Sequence, residues 1–160
     1  MKRMPLGWLS VVVLVFGLAG CGGDGDHAPS DAVVTAPSNK SDTLPPPGGG
    51  SIVYRDLDFH VRNSAGKPVI GVEIEFLASG FLAKAALTDR NGNLLDANSP
   101  DYYKTDTDES GVARVSLLMT LPPSGTEEIK TTGSVSANVG SASATFQAKV
   151  TVQAAPTPTP

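Results

Sequence analysis

The chain has 160 residues, sixteen acidic and twelve basic, with 40% hydrophobic residues and a single cysteine. This length suits one ordinary domain, and a single cysteine excludes an internal disulfide. A nucleic-acid-binding surface needs clustered Lys and Arg, so the acidic balance argues against nucleic acid as a partner.

The first twenty residues, 1–20, have the layout of a cleaved secretory signal peptide. Lys2 and Arg3 form a positive head, and the apolar run "LGWLSVVVLVFGLAG" ends on small residues just before Cys21. The run is shorter than the about 20 apolar residues of a comfortable membrane span. A signal-anchor helix is the alternative, but it leaves the position of Cys21 unexplained.

The cysteine ends the quartet "LAGC", which closely resembles the lipobox of bacterial lipoproteins. The resemblance implies that signal peptidase II cuts before Cys21 and that the diacylated Cys21 anchors the mature chain in a membrane. Gly22, rather than Asp, follows the cysteine. By resemblance to the lipoprotein sorting rule, this favours the outer membrane, on its periplasmic or surface face. Without residues 1–20 the chain keeps ten basic and sixteen acidic residues, a net charge of −6.

Residues 21–51 are rich in Gly, Pro, Ser and Asp, which predicts a lipidated, disordered tether. They contain too few large apolar residues to offset the entropy of ordering the chain. A flexible chain of this length has a root-mean-square reach of about 30 Å. His27 lies in the tether, and a metal site needs several converging ligands rather than one. At the other end, residues 154–160 predict an extended Thr/Pro tail, because proline cannot donate to a sheet ladder.

Residues 52–153 predict one domain made of strands. Four runs alternate apolar and polar residues with a period of two: "VYRDLDFHV", "PVIGVEIEFLA", "GVARVSLLM" and "SASATFQAKVTV". Arg55 is the misfit in the first run, and Ile70 is expected on the core face of the second. Turn-forming residues separate the runs. The pattern is typical of half-buried antiparallel strands and predicts an all-β sandwich.

Three motifs in the domain resemble the bacterial immunoglobulin-like domain of group 1, the repeat of invasin and intimin stalks. They are "GKPVIGV" (66–72), "TDESGVA" (107–113) and the closing alternating strand at 142–152. The resemblance spans about residues 53–152 and implies an immunoglobulin-like antiparallel β-sandwich. The segment 79–104 departs from the family pattern by being longer and more polar. We therefore expect any individual function of this chain in that segment.

The domain lacks the residue sets that catalysis requires, so the sequence predicts a protein that is not an enzyme. Its cysteine is assigned to lipidation, and His60 is the one histidine outside the tether. A Ser-His-Asp set needs a histidine held by an acid beside a serine. No Gly-rich phosphate loop follows a strand and opens a helix, so no nucleotide cofactor is predicted.

Calcium is the one cofactor that the sequence suggests, through two oxygen-rich loops. "DTDESG" (106–111) copies the first half of an EF-hand loop, but its twelfth position is Leu117 instead of the closing Glu. The alternative is a pair of solvated turns, because turns use the same residue types. The candidate ligands are Asp89, Asn91, Asn93, Asp96, Asp106 and Asp108.

Tyr102 and Tyr103 are the candidate surface aromatics. Neighbouring residues in a strand face opposite sides of a sheet, so one is expected in the core and one on the surface. A surface tyrosine can anchor a partner, or it can be an ordinary strand residue.

Taken together, these features predict a lipid-anchored cell-envelope protein whose domain is a non-catalytic binding or adhesion-type module. Its expected partners are the membrane, through acylated Cys21, and a protein or a glycan. The alternative is a passive structural spacer or a component of an envelope complex, stabilised at a calcium loop.

Overall fold

The computed structural model describes residues 28–46 and 48–156. The predicted signal peptide and Cys21 lie outside the described residues. The elements of the described part are all strands: β1 (Val33–Thr35), β2 (Lys40–Leu44), β3 (Gly48–Arg62), β4 (Glu73–Phe81), β5 (Lys84–Thr88), β6 (Tyr102–Asp106), β7 (Val112–Pro123), β8 (Ile129–Val139) and β9 (Ala142–Val152). No described segment forms an apolar helix of the length needed to cross a membrane.

The strands form two sheets that face each other, so the predicted all-β sandwich is confirmed. The first sheet has the order β1-β3-β7-β5 and the second the order β2-β9-β8-β4-β6. All the pairings are antiparallel except β2 with β9, which is parallel. As the alternation in the sequence predicts, every second side chain of a strand lies between the two sheets. The largest fully buried side chains are Phe59, Phe76, Phe146, Ile74, Leu87, Leu117 and Met119.

The sandwich begins earlier in the chain than the sequence predicts, at residue 33 instead of residue 52. Within the predicted tether 21–51, β1 pairs with the end of β3 and β2 pairs with β9. Asp42 on β2 accepts a 2.7 Å hydrogen bond from the Tyr54 hydroxyl. These short strands were missed because "VVT" is brief and "KSDTL" is mostly polar, as suits strands at the edges of sheets.

A β-bulge explains why Arg55 does not fit the alternation of the first run. Tyr54 pairs with Leu117, but the next pair joins Leu57 to Val115, so β3 has one residue more than β7 at this point. Asp56 lies in the bulge with a φ of 52°. The inserted residue changes the parity of the strand, and both Tyr54 and Leu57 are buried as a result.

The prediction that Ile70 faces the core is wrong, since 58% of this residue is exposed. Gly71 follows it with a φ of 65°, a conformation that turns the chain before β4 begins. Regular alternation therefore starts at Val72, and Ile70 lies in the preceding loop. Gly111 packs closely against the end of β3 and the loop 63–71. An added Cβ at Gly111 would lie 2.7 Å from the carbonyl oxygen of Val61.

Candidate functional site

Four exposed side chains form a row that we call the apolar row: Tyr102, Leu77 and Phe81 on the outer face of the second sheet, and Leu82 just after β4. Tyr102 on β6 is the register partner of Leu77 on β4. Leu77 and Phe81 share one face of β4, and their Cα atoms are about 13 Å apart by strand rise. Phe81 is 67% exposed, Leu82 59% and Leu77 47%. Phe81 and Leu82 are neighbours in the chain, and exposed apolar side chains that adjoin one another are typical of interaction surfaces.

The row ends at a tight corner where the chain passes from the second sheet to the first. An added Cβ at Gly80 would lie 2.3 Å from the carbonyl oxygen of Ala83, so only glycine allows the turn to close. Leu82 has a φ of 57°, which is uncommon and unfavourable for a residue with a Cβ. The Thr131 hydroxyl donates a hydrogen bond to the Phe81 carbonyl oxygen and holds the corner from β8. The backbone thus keeps Phe81 and Leu82 turned outward.

Charged residues border the row on β4 and β6. The Lys104 ammonium contacts carboxylate oxygens of Glu73 at 2.8 Å and of Glu75 at 2.7 Å. The Lys104 hydrogen bond, with a smaller effect of Tyr102, holds the pKa of Glu75 below its ordinary value. Because all three groups are solvated, the pairs contribute little to stability. They place a polar rim beside the apolar row, as in protein–protein interfaces.

Hydroxyl side chains lie within the row and beside it. Ser79, between Leu77 and Phe81 on the same face of β4, hydrogen-bonds Ser134 on β8 at 2.8 Å, and Ser136 bonds Thr145 on β9 at 3.1 Å. These groups satisfy one another across the strands. The apolar row is therefore interrupted by one hydroxyl and adjoins neutral polar surface on the side of β8.

The apolar row extends toward the end of the sandwich that lies away from Ala28, where the described chain begins. At the entry end, an added Cβ at Gly140 would lie 3.2 Å from Cβ of Ala28. On β8, Phe81 pairs with Thr132, about 26 Å of strand from Gly140. We call the two ends the N-terminal pole (28–32, 63–71, 107–111 and 139–141) and the distal pole (81–83 and 124–128). Phe81 and Leu82 lie at the distal pole.

The structure gives the predicted calcium ligands another role. The Asp89 carboxylate accepts hydrogen bonds from the backbone N–H groups of Asn91 at 2.8 Å and of Asn93 at 2.9 Å. The Asn93 side-chain amide is the main cause that holds the pKa of Asp89 below its ordinary value. Asp96 accepts in the same way from the N–H of Asn98. These carboxylates act as acceptors within their own turns.

The second predicted calcium loop, 106–111, is a turn of the same kind. Asp108 accepts from the N–H groups of Ser110 at 2.8 Å and of Val112 at 3.0 Å, whereas Asp106 ends β6 opposite Glu73. The hydrogen bond to Asp58 is the main cause that raises the pKa of Arg114, and Asp108 adds a small effect at longer range. Among the described residues, no three His, Cys, Asp or Glu side chains come together as a metal site. Calcium binding therefore stays a prediction without a ligand set in this part of the chain.

Of the two candidate aromatics, Tyr102 is on the surface and Tyr103 packs against the core, as predicted. The sequence analysis did not predict Leu77, Phe81 or Leu82 as surface residues. A usable indication existed, because adjacent apolar residues such as Phe81 and Leu82 cannot both face the core of one strand. Both lie in the segment 79–104, where we expected individual function.

The comparisons with known proteins place no family on this chain. No protein-family model matches it, and no curated protein sequence does either. Among solved structures, the N-terminal domain of PorA aligns with a TM-score of 0.45 and 14% identity, over 76% of this chain and 96% of that one. A conjugative transposon lipoprotein from Bacteroides eggerthii aligns at 0.40 and 11%, over 78% and 98%. AggA, the major subunit of aggregative adherence fimbriae type I from Escherichia coli, aligns at 0.40 and 12%, over 79% and 99%.

Proposed function

We propose that this protein is a lipid-anchored cell-envelope protein whose sandwich binds a protein partner without catalysis, through the apolar row. The observation that supports the proposal is the exposure of Phe81 and Leu82 on a backbone that holds them outward. A few residues, often aromatic, supply most of the energy of protein binding, and Phe81 and Tyr102 are the aromatic members of the row. The group 1 immunoglobulin-like resemblance and the outer membrane location belong to the same proposal.

The position of the row favours a protein over the bilayer as its occupant. If Cys21 is acylated, the membrane holds the chain at the N-terminal pole, close to Ala28. Phe81 and Leu82 lie at the distal pole, away from that membrane. A partner that covers the row presents apolar side chains in the middle and polar groups to Lys104 and the serines around it.

The proposal is tested by placing a photoreactive amino acid at single positions in cells. From Phe81 and from Leu77, irradiation should give one discrete protein adduct of the same mass. Leu94, which is 44% exposed and lies outside the row, provides the matched control and should not give it. The substitution Leu82→Asp should abolish the adduct from Phe81, because the contact would then have to desolvate a charge next to Phe81. The same adducts from all three positions, or none from any, would leave the passive spacer as the better account.

A further inference from the structure

The N-terminal pole carries an exposed isoleucine that neither the core nor the apolar row uses. Ile70 is 58% exposed in the loop 63–71. Its neighbours fix it on both sides, since the Val69 N–H donates to the Val61 carbonyl at 3.0 Å and the Gly71 N–H donates to the Thr107 carbonyl at 2.9 Å. The side chain is therefore displayed on an ordered backbone.

A buried threonine strengthens this display. The Thr107 hydroxyl donates to the Val69 carbonyl at 2.8 Å and accepts from the Val72 N–H at 3.1 Å. Thr107 is itself only 4% exposed. Both ends of the turn around Ile70 are thus bonded to one buried side chain. Because this order exists before any contact, binding through Ile70 would cost little conformational entropy.

The number of residues between Cys21 and the sandwich limits how far Ile70 can lie from a membrane that holds Cys21. Six residues, 22–27, separate Cys21 from Ala28. Even fully extended, this stretch spans only about 25 Å. Asp31, just after Ala28, accepts hydrogen bonds at 3.2 and 2.7 Å from the backbone and hydroxyl of Ser64. The loop that holds Ile70 is therefore fastened beside the point where the anchored chain enters.

We propose that Ile70 inserts into the interfacial layer of the membrane that carries the acyl chains of Cys21, so that the N-terminal pole lies on the bilayer. This inference rests on the lipid anchor of the proposed function. The charges of the pole are mixed and mostly acidic, with Lys67 and the adjoining Arg62 against Asp31, Asp108 and Glu109. The contact is therefore driven by apolar burial and does not require anionic lipid.

The chain offers a clean reporter for the test. Its single tryptophan, Trp8, lies in the predicted signal peptide, so the mature protein has none. Ile70→Trp and Phe81→Trp therefore each create a single-tryptophan protein, one at each pole, at positions that are exposed in the fold. The acylated proteins are reconstituted in phosphatidylethanolamine vesicles whose acyl chains carry bromine, which quenches tryptophan on contact.

We expect the I70W emission to shift to shorter wavelength and to lose most of its intensity in the brominated vesicles, while the F81W emission keeps its wavelength and intensity. An unquenched I70W, in protein whose mass shows the acyl chains, would overturn the membrane contact and leave the anchor intact. Equal quenching at both positions would overturn it as well, because the sandwich would then lie on its side. A mass without acyl chains would remove the anchor and this inference together, whereas cross-linking from Phe81 would still test the distal site.

Discussion

The two poles of the sandwich display apolar side chains in different ways. At the N-terminal pole, Ile70 is held between backbone hydrogen bonds in a loop that packs on Gly111. At the distal pole, Phe81 and Leu82 lie in a corner where a leucine has a positive φ. The first arrangement is relaxed and the second carries local strain. Strain of this kind is often found at functional sites, which agrees with binding at the distal pole.

The largest loss of stability is expected from a substitution that disrupts the packing of the N-terminal pole. Gly111→Ala should lower the free energy of unfolding by about 3 kcal/mol, because the residue has a positive φ and its Cβ would meet backbone atoms of the loop 63–71. Gly66 also has a positive φ but nothing within 4 Å of an added Cβ. Gly66→Ala, the matched control, should cost about 1 kcal/mol. Urea unfolding measures both, and equal losses would show that the loop is not supported by Gly111.

A smaller effect concerns the segment that the sequence placed in the tether. Tyr54→Phe removes the hydrogen bond to Asp42 on β2 and should cost about 1 kcal/mol at neutral pH. Burial, and then the Asp42 carboxylate, raise the pKa of Tyr54 above its ordinary value. The folded state therefore retains the proton longer than the unfolded chain, and this contribution is complete below pH 10 and lost as the pH rises above it.

Urea unfolding between pH 8 and pH 11 measures this dependence. The gap in stability between the native protein and Y54F should narrow as the pH rises above 10. A gap that stays constant across this range would contradict the role given to the Asp42 contact.

The strain at the distal pole predicts a gain in stability on substitution. Leu82→Asn should raise the free energy of unfolding by about 0.5–1 kcal/mol, since asparagine tolerates a positive φ better than leucine. The same change should weaken the adduct from Phe81, because it removes an apolar side chain from the row. Leu94→Asn, at a position without a positive φ, should change neither quantity. A loss of stability in L82N would mean that Leu82 contributes more by packing than it costs in strain.

The smallest expected effect is that of calcium itself on the loops that resemble calcium sites. Asp108→Ala should cost about 1 kcal/mol through the loss of two backbone hydrogen bonds, with or without calcium. Millimolar calcium should leave the thermal midpoint of the native protein unchanged. A midpoint that rises with calcium in the native protein and not in D108A would restore the metal prediction.

The alternation of residues sufficed to predict the sandwich where strands are long. The runs that became β7 and β9 face the core at every second position because their neighbours on both sides enforce one register. Pattern reading failed where a single backbone angle changes the parity. Asp56 inserts a bulge and Gly71 ends a turn, and neither angle is encoded in apolar periodicity.

The candidate site was harder to predict than the fold. The adjacent pair Tyr102 and Tyr103 was expected to place one ring on the surface, and the structure exposes Tyr102. Phe81 and Leu82 resemble ordinary strand residues, and only the corner at Gly80 turns them outward. The carboxylates of Asp89 and Asp108 illustrate the reverse case, since the same residue types that bind calcium also close turns.

Whether a protein binds at the distal pole while the N-terminal pole faces lipid is tested most directly by comparing the two poles in living cells. A photoreactive residue is placed at Phe81 in one strain and at Ile70 in another, and the adducts are separated by mass. We expect a discrete protein adduct from Phe81 and no adduct of that mass from Ile70, which we place against lipid. A protein adduct from Ile70 alone would contradict the account, because the partner would then bind at the pole assigned to the membrane.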